Sequence, residues 1–136
     1  MLNNIHHEMS RIISVSLSEN LLEEISRIQM EMGFSGRSEV VRAGLRKLIA
    51  ERKERERLSG RINSILLVVH DREDEDIVNK IKHEFDDVIN TQLHSHLRGE
   101  KCLEIFILDG EAERIREIVD CFETCGKMEY VKLIIP

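Results

Sequence analysis

The sequence of 136 residues has one proline, one tyrosine, four phenylalanines and no tryptophan, so aromatic side chains make up only 4% of it. Single-strand nucleic-acid binders stack successive bases on aromatic rings, and a chain this poor in them lacks such a platform. Any core must rest on Ile, Leu and Val. Long apolar runs are also missing. The longest is Ile65-Leu66-Leu67-Val68-Val69, far short of the roughly 18 residues that read as a membrane span, and the start lacks the basic-then-apolar pattern of a secretory signal. The expectation is a cytoplasmic protein with no membrane partner. Three cysteines, Cys102, Cys121 and Cys125, are few and odd in number. They argue against a disulfide framework and leave reduced thiols or metal ligands.

Of the chain, 41% is hydrophobic and 34% charged, which fits one or two small soluble domains. The net charge of −6 is unevenly spread: residues 1–60 carry ten Lys and Arg against nine Asp and Glu, and residues 61–136 carry ten against seventeen. The first part can approach a polyanion and the second cannot.

Residues 11–17 alternate Ser14 and Ser16 with Ile13, Val15 and Leu17, the period of a half-buried strand. Ser18 can cap a helix whose apolar positions Leu21, Leu22, Ile25, Ile28 and Met32 follow helical spacing, and Gly33 is placed to end it. After the turn residues Ser35-Gly36-Arg37-Ser38, a second helix marked by Val40, Val41, Leu45, Leu48 and Ile49 runs into the charged stretch Glu51–Arg57. That stretch reads as a solvated helix end or linker. One strand and two helices bury too little surface for a monomer, and a lone strand has two unpaired edges. Two copies pairing their strands antiparallel remedy both defects. The ribbon so formed presents Ile12, Ser14 and Ser16 from each chain, and a two-stranded ribbon fits the major groove of DNA.

Beyond Ser59-Gly60 the pattern predicts a strand at 61–69, a helix at 71–84, strands at 88–97 and 101–108, a helix at 111–124 and a strand at 127–135. This βαββαβ order is a ferredoxin-like split arrangement, an antiparallel sheet with both helices on one face. The fold class is therefore α+β.

His94 and His96 lie two apart in a predicted strand and leave the same face of the sheet. A three-residue turn, Arg98-Gly99-Glu100, sets His96 directly opposite Cys102, whereas a two-residue turn would oppose Cys102 to Leu97 and spoil the site. Imidazole and thiolate suit nickel, copper, zinc or cobalt and not calcium or magnesium. A fourth donor is needed, and His83 near the end of the preceding helix is the nearest remaining histidine, supplied if need be by another subunit. Cys121 and Cys125, among apolar residues of the last helix, read as core thiols. His6 and His7 fall in an N-terminal arm and are not assigned to the metal. His70, at a strand end, is open between an outer support of the site and a cap.

Strand Ser14-Val15-Ser16-Leu17, helix start Gly36-Arg37-Ser38-Glu39-Val40-Val41-Arg42, and the series His83, His94-Ser95-His96, Cys102-Leu103-Glu104 together resemble the NikR family of nickel-responsive transcriptional regulators. The resemblance implies an N-terminal arm at 1–10, a CopG-like ribbon-helix-helix DNA-binding domain at 11–55, a linker at 56–60 and an ACT-like metal-binding and tetramerisation domain at 61–136. It further implies a homotetramer, a dimer of dimers, with one Ni(II) per subunit held in square-planar fashion by His94, His96 and Cys102 of one chain and His83 of a neighbour. Double-stranded operator DNA would be the partner, probed by Ile12, Ser14 and Ser16, with Arg37 and Arg42 on phosphates. Some relatives carry an Arg at the outward ribbon position occupied here by Ile12. The family's second cation site maps to Glu39 and Glu104, but Ala43 stands where a further acid is expected, and that site is not assigned.

The implied function is a repressor of nickel-uptake genes whose operator binding rises with metal. Competing readings are a regulator that answers cobalt, another transition ion or an amino acid, a metal-storage protein that binds no DNA, and a zinc hydrolase. Four available protein donors leave a hydrolase no open coordination position, and no Glu is placed as its base. The expectation is that the chain is not an enzyme.

Overall fold

The computed structural model describes residues 10–136, so His6 and His7 lie outside the described residues. Its contacts divide the chain into two compact units, Met1–Ile49 and Ala50–Pro136.

In the first unit, α1 (Glu19–Met32) starts at Ser18, whose hydroxyl accepts from the Leu21 amide at 3.2 Å, and ends at Gly33 with φ of 81°. These are the cap and the left-handed stop expected from the sequence. The second helix, α2 (Arg37–Glu56), begins after the turn at 35–36 and continues into the second unit. The strand expected at 11–17 does not form within one chain: residues 10–18 have no regular secondary structure, and Ile12, Ile13 and Val15 are exposed. A strand exists by its ladder, and among the described residues this segment finds no partner. Ile25 is the unit's one buried apolar side chain among the described residues, while Leu45, Leu48 and Ile49 are exposed.

The second unit follows the predicted order, with β1 (Arg61–Asp71), α3 (Glu75–Glu84), β2 (Ile89–Leu97), β3 (Lys101–Glu111), α4 (Ala112–Thr124) and β4 (Met128–Ile134). Two boundaries move. Strand β1 runs on to Asp71, and a short 3₁₀ turn, Arg72–Asp74, separates it from α3. Strand β3 runs on to Glu111 because β1 offers it an eleven-pair ladder from Arg61↔Glu111 to Asp71↔Lys101. The sheet order is β2-β3-β1-β4 with every neighbour antiparallel. Alternation along β1 and β3 sends Leu66, Val68, Phe106 and Leu108 into one core with Val78 and Ile81 of α3 and Ile115, Ile118, Val119 and Phe122 of α4. Both helices therefore cover one face. Phe106 and Phe122 stack at its centre, 5.7 Å between ring centroids. Gly110 admits the loop before β2: a Cβ there would lie 2.6 Å from Val88 Cγ1.

The charged stretch after Ile49 is not simply a solvated helix end. Arg55 is buried and paired with Glu123 of α4 at 3.0 Å, Arg52 grips Asp120 with contacts of 2.7 and 2.8 Å, and Arg116 donates to the carbonyls of Arg55 and Leu58. Residues 50–58 are thus part of the second unit's structure.

On the other face of the sheet Leu93, Leu97, Ile107, Tyr130 and Ile134 are exposed. That leaves an apolar surface with no cover among the described residues.

Candidate metal centre

The hairpin between β2 and β3 builds the site. Gly99 and Glu100 both take positive φ, 74° and 59°, closing a three-residue connection. The register that follows opposes Leu97 to Lys101, His96 to Cys102 and His94 to Glu104. One face of the hairpin therefore carries Gln92, His94 and His96 beside Glu104 and Cys102.

His94, His96 and Cys102 bring one donor atom each within 4.8 Å of one another. Cys102 Sγ lies 3.7 Å from His96 Nδ1, and the two imidazoles meet edge to face with centroids 5.0 Å apart. Cys102 is fully buried on the inner strand β3, while both histidines are exposed on the edge strand β2. Burial raises the Cys102 thiol above its ordinary range, and the negative charges of Glu75 and Glu104 push it further in the same direction. Both effects favour the thiol over the thiolate, so a metal taking this sulfur as a ligand would have to displace its proton. His83 stands apart: it is exposed on α3 and outside this cluster. One chain supplies three donors, with the two imidazoles open to an approaching fourth.

Behind the donors lies a buried polar group absent from the sequence expectations in this role. Glu104, 2% exposed, places Oε1 at 2.5 Å from His94 Nδ1 and 3.3 Å from His70 Nε2, and its Oε2 accepts from Gln92 Nε2 at 2.9 Å. His70, fully buried, uses its other nitrogen on the Asp71 carbonyl at 2.8 Å. His70 is therefore both an outer support and a strand-end anchor. The signal was available: the turn that opposes His96 to Cys102 necessarily opposes His94 to Glu104.

The remaining candidates are scattered. Ile12, Ser14, Ser16, Arg37 and Arg42 are exposed in the first unit, where Arg42 pairs with Glu39 at 2.6 Å. Cys121 packs against the core, and the Cys125 thiol donates to the Phe122 carbonyl. Both are free thiols, as is Cys102. Asp71, Glu73 and Asp74 form an acidic group beside the 3₁₀ turn. No helix among the described residues is long and apolar enough to cross a membrane.

A thiolate with two imidazoles is a soft-to-borderline set suited to late transition ions. The family described as the NikR C terminal nickel binding domain matches residues 64–135, a span that holds every donor above. A protein of Methanocaldococcus jannaschii, provisionally named a nickel-responsive regulator, is 35% identical over 131 residues, covering 94% of this chain and 92% of its own. Relatives with the same provisional name from Halobacterium salinarum and Methanococcoides burtonii are 36% and 33% identical, covering 79% and 95% of this chain and 78% and 94% of their own. Among solved structures, an uncharacterized protein of Thermotoga maritima superposes with a TM-score of 0.52 at 18% identity, covering 56% of this chain and 98% of that one, and so shares the fold. With its donor set inside the matched span and relatives that run nearly its whole length, the chain belongs to the NikR family.

Proposed function

We propose that the chain is a nickel-responsive, sequence-specific DNA-binding regulator and not an enzyme, repressing nickel-uptake genes when metal is bound. The observation that carries the reading is the convergence of His94, His96 and Cys102 on one hairpin with exposed imidazoles. In this reading those three residues would hold one Ni(II) per subunit, and His83 of a second copy would complete the set. Nickel would supply a late transition ion suited to thiolate and imidazole donors. The chain supplies a rigid hairpin, a buried sulfur and a carboxylate behind one imidazole.

Oligomer formation, a homotetramer in this reading, is supported from two sides. A first unit with a single buried apolar residue among its described residues needs a partner to acquire a core, and the bare sheet face of the second unit offers a further apolar surface. In a dimer the segment 11–17 gains the ladder it lacks alone, and Ile12, Ser14 and Ser16 face the bases of operator DNA. Arg37 and Arg42 at the start of α2 suit phosphate. The Arg42 pair with Glu39 is exposed, so exchanging the carboxylate for a phosphate costs little. Metal that prefers one arrangement of the subunits then raises the fraction competent for DNA.

The test is complementation. His83→Ala and Cys102→Ala chains each lose the thiolate-to-nickel charge-transfer band when purified alone. Coexpressed, they form mixed oligomers in which His83 of one variant meets His94, His96 and Cys102 of the other, and the band returns at a fraction of its normal intensity. Nickel-dependent retention of operator DNA in a gel shift should return with it. A His83→Ala protein that keeps the full band, or mixed oligomers without any band, would sink the shared site.

A further inference from the structure

Within the second unit, the end of α2 and strand β4 enclose a cleft of about 150 Å³. Glu51, Glu54, Arg55 and Leu58 recur at helical spacing and line one wall, the Leu58 amide carrying the last turn on by donating to the Arg55 carbonyl at 3.2 Å. Val131, Leu133 and Ile135, every second residue of β4 and its continuation, line the other. Lys132 alternates to the far face of the sheet and borders the cleft along the outer edge of β4, which no further strand covers. Arg55 is buried, and both terminal nitrogens of its guanidinium are committed to Glu123, at 3.3 and 3.0 Å. Its Nε is buried with no acceptor among the described residues. An unpaired buried N–H is costly, and this one is held in place, because Arg116 pins the carbonyls of Arg55 and Leu58 at 3.1 and 2.8 Å. Glu51 and Glu54 present the complementary need. Glu51 is half-buried and Glu54 exposed, and neither has an ion-pair partner among the described residues, the neighbouring Arg52 being taken by Glu56 and Asp120.

We infer that this cleft binds a free α-amino acid with a branched aliphatic side chain, whose carboxylate accepts from Arg55 Nε, whose ammonium meets Glu51 and Glu54, and whose side chain packs on Leu58, Val131 and Leu133. The lining selects this class by elimination. A plain anion would satisfy Arg55 but meet two acids, and a plain cation would satisfy the acids but leave the Arg55 N–H unpaired. A purely apolar ligand would answer neither. An ampholyte with an apolar group answers all three, and pockets of this kind pair apolar walls with a few placed polar groups. The volume fits a small molecule, since a cavity of this size in another protein admits benzene. The cleft is also remote from the hairpin site: β3 and β1 lie between β4 and the strand that carries His94 and His96. The inference therefore stands without the metal reading.

The test is isothermal titration calorimetry of the full-length protein in excess chelator with three probes of one shape: L-leucine, isocaproate, which lacks the ammonium, and isoamylamine, which lacks the carboxylate. Leucine should bind once per chain, and each analogue should bind about tenfold more weakly or worse. Replacing both acids, Glu51→Gln with Glu54→Gln, should weaken leucine about tenfold while isocaproate binds no worse than before. Arg55→Lys keeps the positive charge but loses the Nε donor, and should weaken leucine and isocaproate alike. Leucine that fails to bind at millimolar concentration overturns the inference. So does an analogue that binds as tightly as leucine, which would mark a plain anion or cation site, and so does leucine binding untouched by the paired glutamine substitutions, which would place it elsewhere. Glu51 and Glu54 make no ion pair on which the fold relies, so the glutamine protein keeps the inference falsifiable should Arg55→Lys fail to fold.

Discussion

Nickel binding should release one proton from Cys102, and its affinity should therefore climb with pH. Burial and the neighbouring charges of Glu75 and Glu104 hold the thiol above its ordinary range, so between about pH 7 and pH 8 the free protein carries it protonated. The bound form needs the thiolate. Each pH unit in this window then makes displacement of the proton easier by 1.36 kcal/mol, so that apparent affinity rises about tenfold per unit. The same shift acts on folding with the opposite sense. A thiol raised in the folded state contributes stability that is complete below its unfolded pKa, near 8.5, and that is lost as pH rises through the higher folded value. Apo-protein should thus weaken in alkaline solution just where its metal affinity is greatest. The assay is competition against a chelator of known pH dependence, with calorimetry in two buffers of different ionisation enthalpy to count protons. A pH-independent affinity with no proton released would refute the reasoning, since it requires either that Cys102 is no ligand or that its sulfur is already ionised.

Two further predictions concern the scaffold, each read by chemical denaturation of the full chain in excess chelator at fixed protein concentration. Gly110→Ala drives a methyl against Val88 at 2.6 Å and should cost about 1–3 kcal/mol, the range for overpacking a tight core; an unchanged midpoint would mean that the loop before β2 yields freely. Glu123→Ala strands the buried Arg55 guanidinium and should cost about 1–3 kcal/mol. Arg55→Met removes the charge itself and should cost less, so the reverse ranking would show that the pair does not govern this contact.

The ferredoxin-like part of the chain was legible because its information is local. Period-two alternation in β1 and β3 and helical spacing in α3 and α4 each point to the same core, and a three-residue turn suffices to oppose His96 to Cys102. Two features resisted for two different reasons. The segment 11–17 has a strand's alternation but no ladder among the described residues, because pairing is a property of two segments and no described segment pairs with it. The charged stretch after Ile49 looked solvated because nothing local announces that Arg52 and Arg55 have partners in α4, 68 residues away in each case. Glu104 belongs to a third kind. The register that predicted the cluster contained it, but a carboxylate is a less familiar companion to a soft-donor set than a thiol or an imidazole, and its role emerges only from its burial and its three contacts.

The division of the donors between strands bears on how metal could control anything. Had all of them been buried within one chain, nickel would stabilise each chain alone and leave its partners indifferent. Instead the thiol is anchored on an inner strand while both imidazoles sit exposed on the edge strand β2. If His83 of a second copy closes the set, the affinity gained by that fourth bond equals the factor by which metal tightens the assembly, since coupling between two binding events is reciprocal. Coupling of the ordinary size, roughly 5–150-fold, would then show twice: nickel affinity should rise with protein concentration across the range where subunits associate, and the dissociation constant of the assembly should fall by a matching factor when nickel is present. A nickel affinity independent of protein concentration, with assembly unchanged by nickel, would mean that the site is complete within one chain.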